Sequence, residues 1–183
     1  MKYALITGCS NGSIGSALAK AFAKHPSIHI FATSRTFTRM ADLSSYPNIT
    51  LLELDVTSPK SISTALTTIQ KTTGTIHFLV NYAGLGYTAP FLDGPIEDCQ
   101  RVFDINVWGV MRIVQAFAPL VIAGKGTIVL AGTTVELLGM PFQSAYCGSK
   151  AALFAMGDAL RREMKPLGVR VLHVTTGLVQ SNW

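Results

Sequence analysis

The chain has 183 residues, of which 49% are hydrophobic and 14% charged, with a formal net charge of +5. This length and apolarity exclude a disordered segment and suffice to bury one substantial core, so a single domain over 1–183 is expected. Lys and Arg are scattered, with RRE at 161–163 the nearest thing to a cluster, which argues against a nucleic-acid partner.

The first strand-like run is YALIT at 3–7, preceded by a single Lys2 and broken at Gly8, too short and without the cleavage pattern of a secretory leader. It leads into TGCSNGSIG and then IGSALAKAFAKH, whose apolar residues recur at three and four, the helical period. Further strand-like runs fall at 28–33, 49–54, 76–80, 127–131 and 169–174. Between them, SPKSISTALTTIQKT reads as a helix capped by Ser58 with Pro59 in its first turn, and AALFAMGDALRREMK as one stopped by Pro166 and Gly168. Nearly all-apolar strands alternating with helices predict an α/β fold, a doubly wound parallel sheet of about six strands. No continuous apolar stretch reaches the ~18 residues of a membrane span, so no integral membrane segment is expected and the location is read as cytoplasmic. Cys9, Cys99 and Cys147 are an odd number without metal spacing; free thiols are the plain reading, and no metal site is predicted.

Two stretches point to chemistry. Gly8, Gly12 and Gly15 lie where the first strand turns into the first helix, the context in which glycines let backbone N–H groups approach a pyrophosphate; Ser10, Asn11 and Ile14 complete that turn. A dinucleotide site that prefers NAD carries a carboxylate after the second strand, but this chain has Ser34 followed by Arg35. A guanidinium there suits a 2′-phosphate, so NADP(H) is the expected cofactor. The other stretch is AYCGSKAAL at 145–153, where Tyr146 and Lys150 share one face of a helix a single turn apart. A nearby ammonium favours the phenolate, which is expected to bring the tyrosine toward use as an acid or base at neutral pH.

In combination and order these motifs resemble the short-chain dehydrogenase/reductase family over essentially the whole chain. TGCSNGSIG is similar to its TGxxxGxG turn, LDVT at 54–57 to the segment whose Asp55 and Val56 meet the adenine, and NYAG at 81–84, with Asn81, Ala83 and Gly84, to its NNAG. INVWG at 105–109 resembles the segment carrying an active-site asparagine, here Asn106, and YCGSK resembles YxxxK. The resemblance implies hydride transfer between a nicotinamide and a small carbonyl or alcohol substrate. Tyr146 would give the proton to the carbonyl oxygen, Lys150 would lower its pKa and hold the nicotinamide ribose, Asn106 would place a relay water, and Thr133 would steady the substrate oxygen. Gly177 and Val179, with Ser181, stand where the family meets the carboxamide.

The chain departs from the family pattern in several places. Thr133 stands where serine is usual, Ser13 adds a residue to the glycine turn, Tyr82 replaces the second Asn of NNAG, and Thr176 replaces a proline. The family continues well beyond the position of Trp183 with a seventh strand and a substrate lid, so 169–174 is expected to be a sheet edge. That shortness keeps open an alternative: a family member without redox activity, serving as a binding or scaffold protein or as a non-redox catalyst. The substrate pocket would be lined by 85–91, 137–142 and the residues after Gly177. The resemblance also implies a homodimer through the helices near 98–122 and 145–165, which carry Val107, Trp108, Val110, Met111, Val114, Phe117, Leu153, Phe154 and Met156.

Overall fold

The structure, a computed structural model, describes residues 1–180; Ser181 lies outside the described residues. Six strands form one parallel sheet: β1 (Lys2–Thr7), β2 (Ile28–Ser34), β3 (Ile49–Glu53), β4 (Phe78–Asn81), β5 (Thr127–Thr133) and β6 (Arg170–Thr176). Their spatial order is β3-β2-β1-β4-β5-β6. The strand limits agree with those expected from the apolar runs to within two residues, because a strand buried on both faces has little polar punctuation inside it and strong punctuation at its ends.

Five α-helices cover the sheet: α1 (Ile14–Ala23), α2 (Pro59–Gln70), α3 (Ile96–Phe103), α4 (Val110–Ala123) and α5 (Ser144–Met164). Pleating divides the core between the two faces. Leu5, Phe31 and Leu79 point to the side where Ile62 and Ile69 of α2, Ile113 and Phe117 of α4 and Leu153 of α5 pack. Ala4, Ile6, Ile30 and Val80 point to the other, against Ala19 of α1 and against Met40 and Leu43 of a short 3₁₀ segment, Phe37–Leu43. Ser58 caps α2 by accepting from the Ser61 amide at 3.3 Å, with Pro59 in the first turn as expected.

The helices α3 and α4 are joined without a break by a π-helical turn, Asp104–Gly109. The whole stretch Ile96–Ala123 is long and apolar enough to cross a membrane by length and composition, yet half of its most apolar window is buried inside the fold. Of the apolar residues expected to be surplus on these helices, Val107, Val110, Val114, Phe117 and Leu153 are buried in the core. Trp108, Met111 and Phe154 remain exposed, at 48%, 40% and 41%. The strand β6 is an edge, and Leu172 and Val174 on it are exposed.

Candidate active site

The chain builds β2 and β3 to one side of β1 and then crosses to β4 on the other, so a crevice opens at the carboxyl ends of β1 and β4. The glycine turn sits there. Gly8 (φ +77°) and Gly12 (φ +73°) adopt left-handed backbone conformations, and a Cβ on Gly8 would stand 2.7 Å from the Ala83 amide nitrogen. A side chain at Gly15 would run into the Gly8 carbonyl. Ser13, the extra residue of the turn, is the N-cap of α1: its hydroxyl accepts from the Ser16 amide at 3.1 Å and donates to the Gly8 carbonyl at 2.8 Å. It ties the turn to the helix it introduces. Across the crevice the Thr7 hydroxyl accepts from the amides of Tyr82 and Ala83, both at 3.1 Å.

The 3₁₀ segment after β2 braces the turn, a feature that the sequence pattern does not signal. The Asn11 amide donates to the Arg39 carbonyl at 2.6 Å, and the Asn11 side chain accepts from the Asp42 amide at 3.3 Å. Asp42 in turn accepts from Ser16 at 2.9 Å and Lys20 at 2.7 Å. Ser10 and Ser34 join their hydroxyls at 3.1 Å. Arg35 follows, exposed. Burial would raise Asp55, but hydrogen bonds from the hydroxyl and amide of Thr57 and the charge of Arg35 prevail and hold its carboxyl below the ordinary value. The Val56 side chain is buried against Gly109, where a Cβ would lie 2.7 Å from Val56 Cγ2.

These features fit a dinucleotide: a left-handed glycine turn at a helix N-terminus, no carboxylate at the end of β2, and a buried Asn81 whose Oδ1 has no protein partner among the described residues. Gly177 has open space where a Cβ would be, and Val179 is 46% exposed; both follow directly on β6.

The second cluster lies at the end of β5. Tyr146 and Lys150 share a face of α5, and the Lys150 nitrogen sits 5.9 Å from the centre of the Tyr146 ring. The Thr133 side chain stands beside the phenol and favours its ionised form. Lys150 is buried and donates to the Ala131 carbonyl at 2.8 Å. Asn106, on the π turn, accepts from the Leu85 amide at 2.8 Å and donates to the Leu85 carbonyl at 2.9 Å and to Ser149 at 3.0 Å. Ser149 also donates to the Tyr146 carbonyl at 2.7 Å. Asn106 thereby fastens the segment after β4 to α5, and its two amide donors are both spent on protein. Ser149 escapes sequence reading because a serine inside a helix carries no signal of its partner.

The electrostatics differ from expectation at one point. Burial pushes the Tyr146 phenol above its ordinary value, with Cys147 and Glu136 acting in the same direction and the neighbouring Thr133 opposing. The expected lowering by Lys150 does not prevail, because its ammonium is aimed at Ala131 while the phenol is largely desolvated. Burial brings Lys150 itself down to about 8, against the upward pull of Glu136. Two departures from the usual motif lie side by side: Thr176 stands next to the Tyr82 phenol and donates to the Gly132 carbonyl at 2.8 Å. Further out, Ala89 donates to the carbonyl of Phe142 at 2.8 Å. Phe142 holds a positive φ of 64°, a strained conformation for a bulky residue, and so joins the loops 85–91 and 137–142.

Comparison with known proteins bears on this site. The sequence model for "short chain dehydrogenase" matches residues 2–183. The chain is 47% identical to a Penicillium ochrochloron short-chain dehydrogenase, ptmH, over 97% of this chain and 65% of that protein. It is 41% identical to the NADPH-dependent 1-acyldihydroxyacetone phosphate reductase of Schizosaccharomyces pombe, over 98% of this chain and 60% of the reductase. It therefore spans under two thirds of the length of these relatives. A crystal structure of a short-chain dehydrogenase from Streptomyces avermitilis superposes with a TM-score of 0.91 at 28% identity, covering 99% of this chain and 67% of that one.

Proposed function

The chain belongs to the short-chain dehydrogenase family, and from that premise we propose that it is an NADPH-dependent oxidoreductase that reduces a carbonyl to an alcohol. The observation that carries this reading is the meeting of Thr133, Tyr146 and Lys150 at the end of β5, beside the crevice lined by the glycine turn. Gly8, Gly12, Gly15, Asn81, Ala83 and Gly84 would hold the dinucleotide, with Gly177 and Val179 near the nicotinamide and Asp55 and Val56 near the adenine. Ser34 and Arg35 would receive the 2′-phosphate. When bound, the reduced nicotinamide supplies hydride to the carbonyl carbon.

The protein's own groups divide the remaining work. Thr133 and Tyr146 would both face the substrate oxygen, and Tyr146 would surrender its proton as that oxygen gains charge. A phenol held above its ordinary pKa keeps that proton through neutral pH, which suits the reductive direction. Lys150 brings a buried cation to the same place, and Asn106 holds the surrounding backbone.

The name of the Schizosaccharomyces pombe relative puts NADPH and an acylated keto phosphate first among the compounds to assay. NADPH oxidation followed against that compound and a panel of simple ketones tests the reading. Turnover with at least one carbonyl is expected; NADPH binding without turnover on any of them would favour a binding role instead. We further propose a homodimer through the exposed Trp108, Met111 and Phe154. Light scattering should give twice the chain mass of 19.6 kDa.

A further inference from the structure

One buried carboxylate beside the site has no part in the reaction described above. Glu136 lies three residues past Thr133, and its side chain is 0% exposed. Three donors converge on it. Oε2 accepts from the Thr133 amide at 3.1 Å and from His173 Nε2 at 2.8 Å, and Oε1 accepts from the Thr175 hydroxyl at 2.8 Å. An ionised carboxylate only accepts, and it is matched by the His173 tautomer that carries its proton on Nε2. Its Nδ1 is left buried with no partner among the described residues.

The surrounding fold makes room for this arrangement at Gly132. A side chain at Gly132 would collide with His173 Nε2 and lie 2.6 Å from Glu136 Oε2. A Cβ at Gly157, inside α5, would lie 2.7 Å from Leu130 Cδ1 and 3.7 Å from His173 Nδ1; glycine there costs helix stability relative to alanine. The Phe154 ring closes the edge of His173 at a centroid distance of 5.0 Å. An apolar side chain would fill the same volume without the desolvation of a carboxylate.

We propose that Glu136 is a positioning residue: clamped by His173 and Thr175 of β6, its carboxylate fixes the backbone of Thr133 so that the threonine meets Tyr146, and sets a negative charge beside Tyr146 and Lys150. The proposal rests on the reductase reading for its consequence in turnover. The charge acts on both site groups, raising Tyr146 and Lys150 alike. The titratable groups facing Tyr146 are Glu136 from the connection after β5 and Cys147 and Lys150 from its own helix, with His173 of β6 behind Glu136.

The test uses the full chain and three measurements: NADPH affinity, kcat and KM against pH, and the phenolate absorbance of Tyr146, isolated by subtracting the Tyr146→Phe titration. Glu136→Gln should leave NADPH affinity within about twofold and lower kcat by about a hundredfold, the size of a misplaced reacting group. It should also move the Tyr146 midpoint to lower pH. Thr175→Val removes one clamp and keeps the charge, so kcat should fall less and the midpoint should stay near that of the unmutated chain; this variant decides the matter if Glu136→Gln does not fold. Wild-type kcat in a folded Glu136→Gln or in Thr175→Val, or an unmoved Tyr146 midpoint in Glu136→Gln, overturns the proposal and leaves the reductase reading standing. A shifted midpoint in a chain whose unmutated form reduces no carbonyl sinks the reductase reading while supporting the coupling of Glu136 to Tyr146.

Discussion

Lys150 donates its ammonium to the carbonyl of Ala131 at 2.8 Å from a buried position, which couples the carboxyl end of β5 to the first turns of α5. That burial is a stability liability with a definite pH signature. Below about pH 8 both folded and unfolded chains carry the proton, and the desolvation cost is fully present; between about 8 and the ordinary 10.5 the folded chain has released it first, so stability rises with pH. Lys150→Met should therefore raise the stability of the cofactor-free protein at pH 7 by about 1–2 kcal/mol, the loss of the Ala131 bond offsetting part of the gain. The advantage should vanish by pH 10.5. Thermal melts of both proteins across that range check it, and turnover should be lost throughout.

Tyr146→Phe removes the acidic proton and little of the packing. It should lower kcat by about a hundred- to ten-thousandfold, the usual contribution of a positioned general acid, with NADPH affinity nearly unchanged. Since Tyr146 stands above its ordinary value of 10.0, reduction by the unmutated protein should hold through neutral pH and fall only on the alkaline side. A rate limb in the acidic range that survives Tyr146→Phe would assign the proton to another group.

Arg35→Ala should erase most of the preference for NADPH over NADH. A charge-assisted contact to phosphate is worth ~1.5–3 kcal/mol, or roughly ten- to a hundredfold in the ratio of dissociation constants. Fluorescence titration with both nucleotides reads that ratio directly, and equal affinities in the unmutated chain would remove Arg35 from the site.

Ser13→Ala deletes an N-cap and the bond to the Gly8 carbonyl together. A stability loss of about 1 kcal/mol is expected from the cap. Because the same hydroxyl holds the glycine turn, dinucleotide affinity should weaken with it, whereas a purely local cap would leave affinity unchanged.

What could be read in advance follows from where the physics is local. The six strands announce themselves because each is an unbroken apolar run, and the glycine turn because left-handed backbone at Gly8 and Gly12 demands glycine. Tyr146 and Lys150 were legible as a helical pair, but not the sign of the shift on Tyr146, which depends on how deeply α5 sinks against β5. Glu136, His173, Ser149 and Asp42 gave no signal at all. Each owes its place to a partner between 26 and 43 residues away or to several such partners, and sequence spacing says nothing about which side chains a sheet will bring together. Nor does the sequence separate Val107, Val110, Val114 and Phe117, which are buried, from Trp108 and Met111, which stay exposed.

The π turn, Asp104–Gly109, has an effect beyond Asn106 itself. One residue more per turn rotates everything after it by about 100° relative to a regular continuation. The helix therefore carries two independent phases. Ile113, Phe117 and Leu120 keep their stripe on the sheet, while Asn106, about two turns earlier, takes a bearing set by the site. Excising a single residue between 104 and 109 would bring the two phases back into one, and the core and the asparagine would then compete for a single rotation of the helix. With the extra residue in place, substitutions that repack the α4 stripe can accumulate without turning Asn106 away from Leu85 and Ser149.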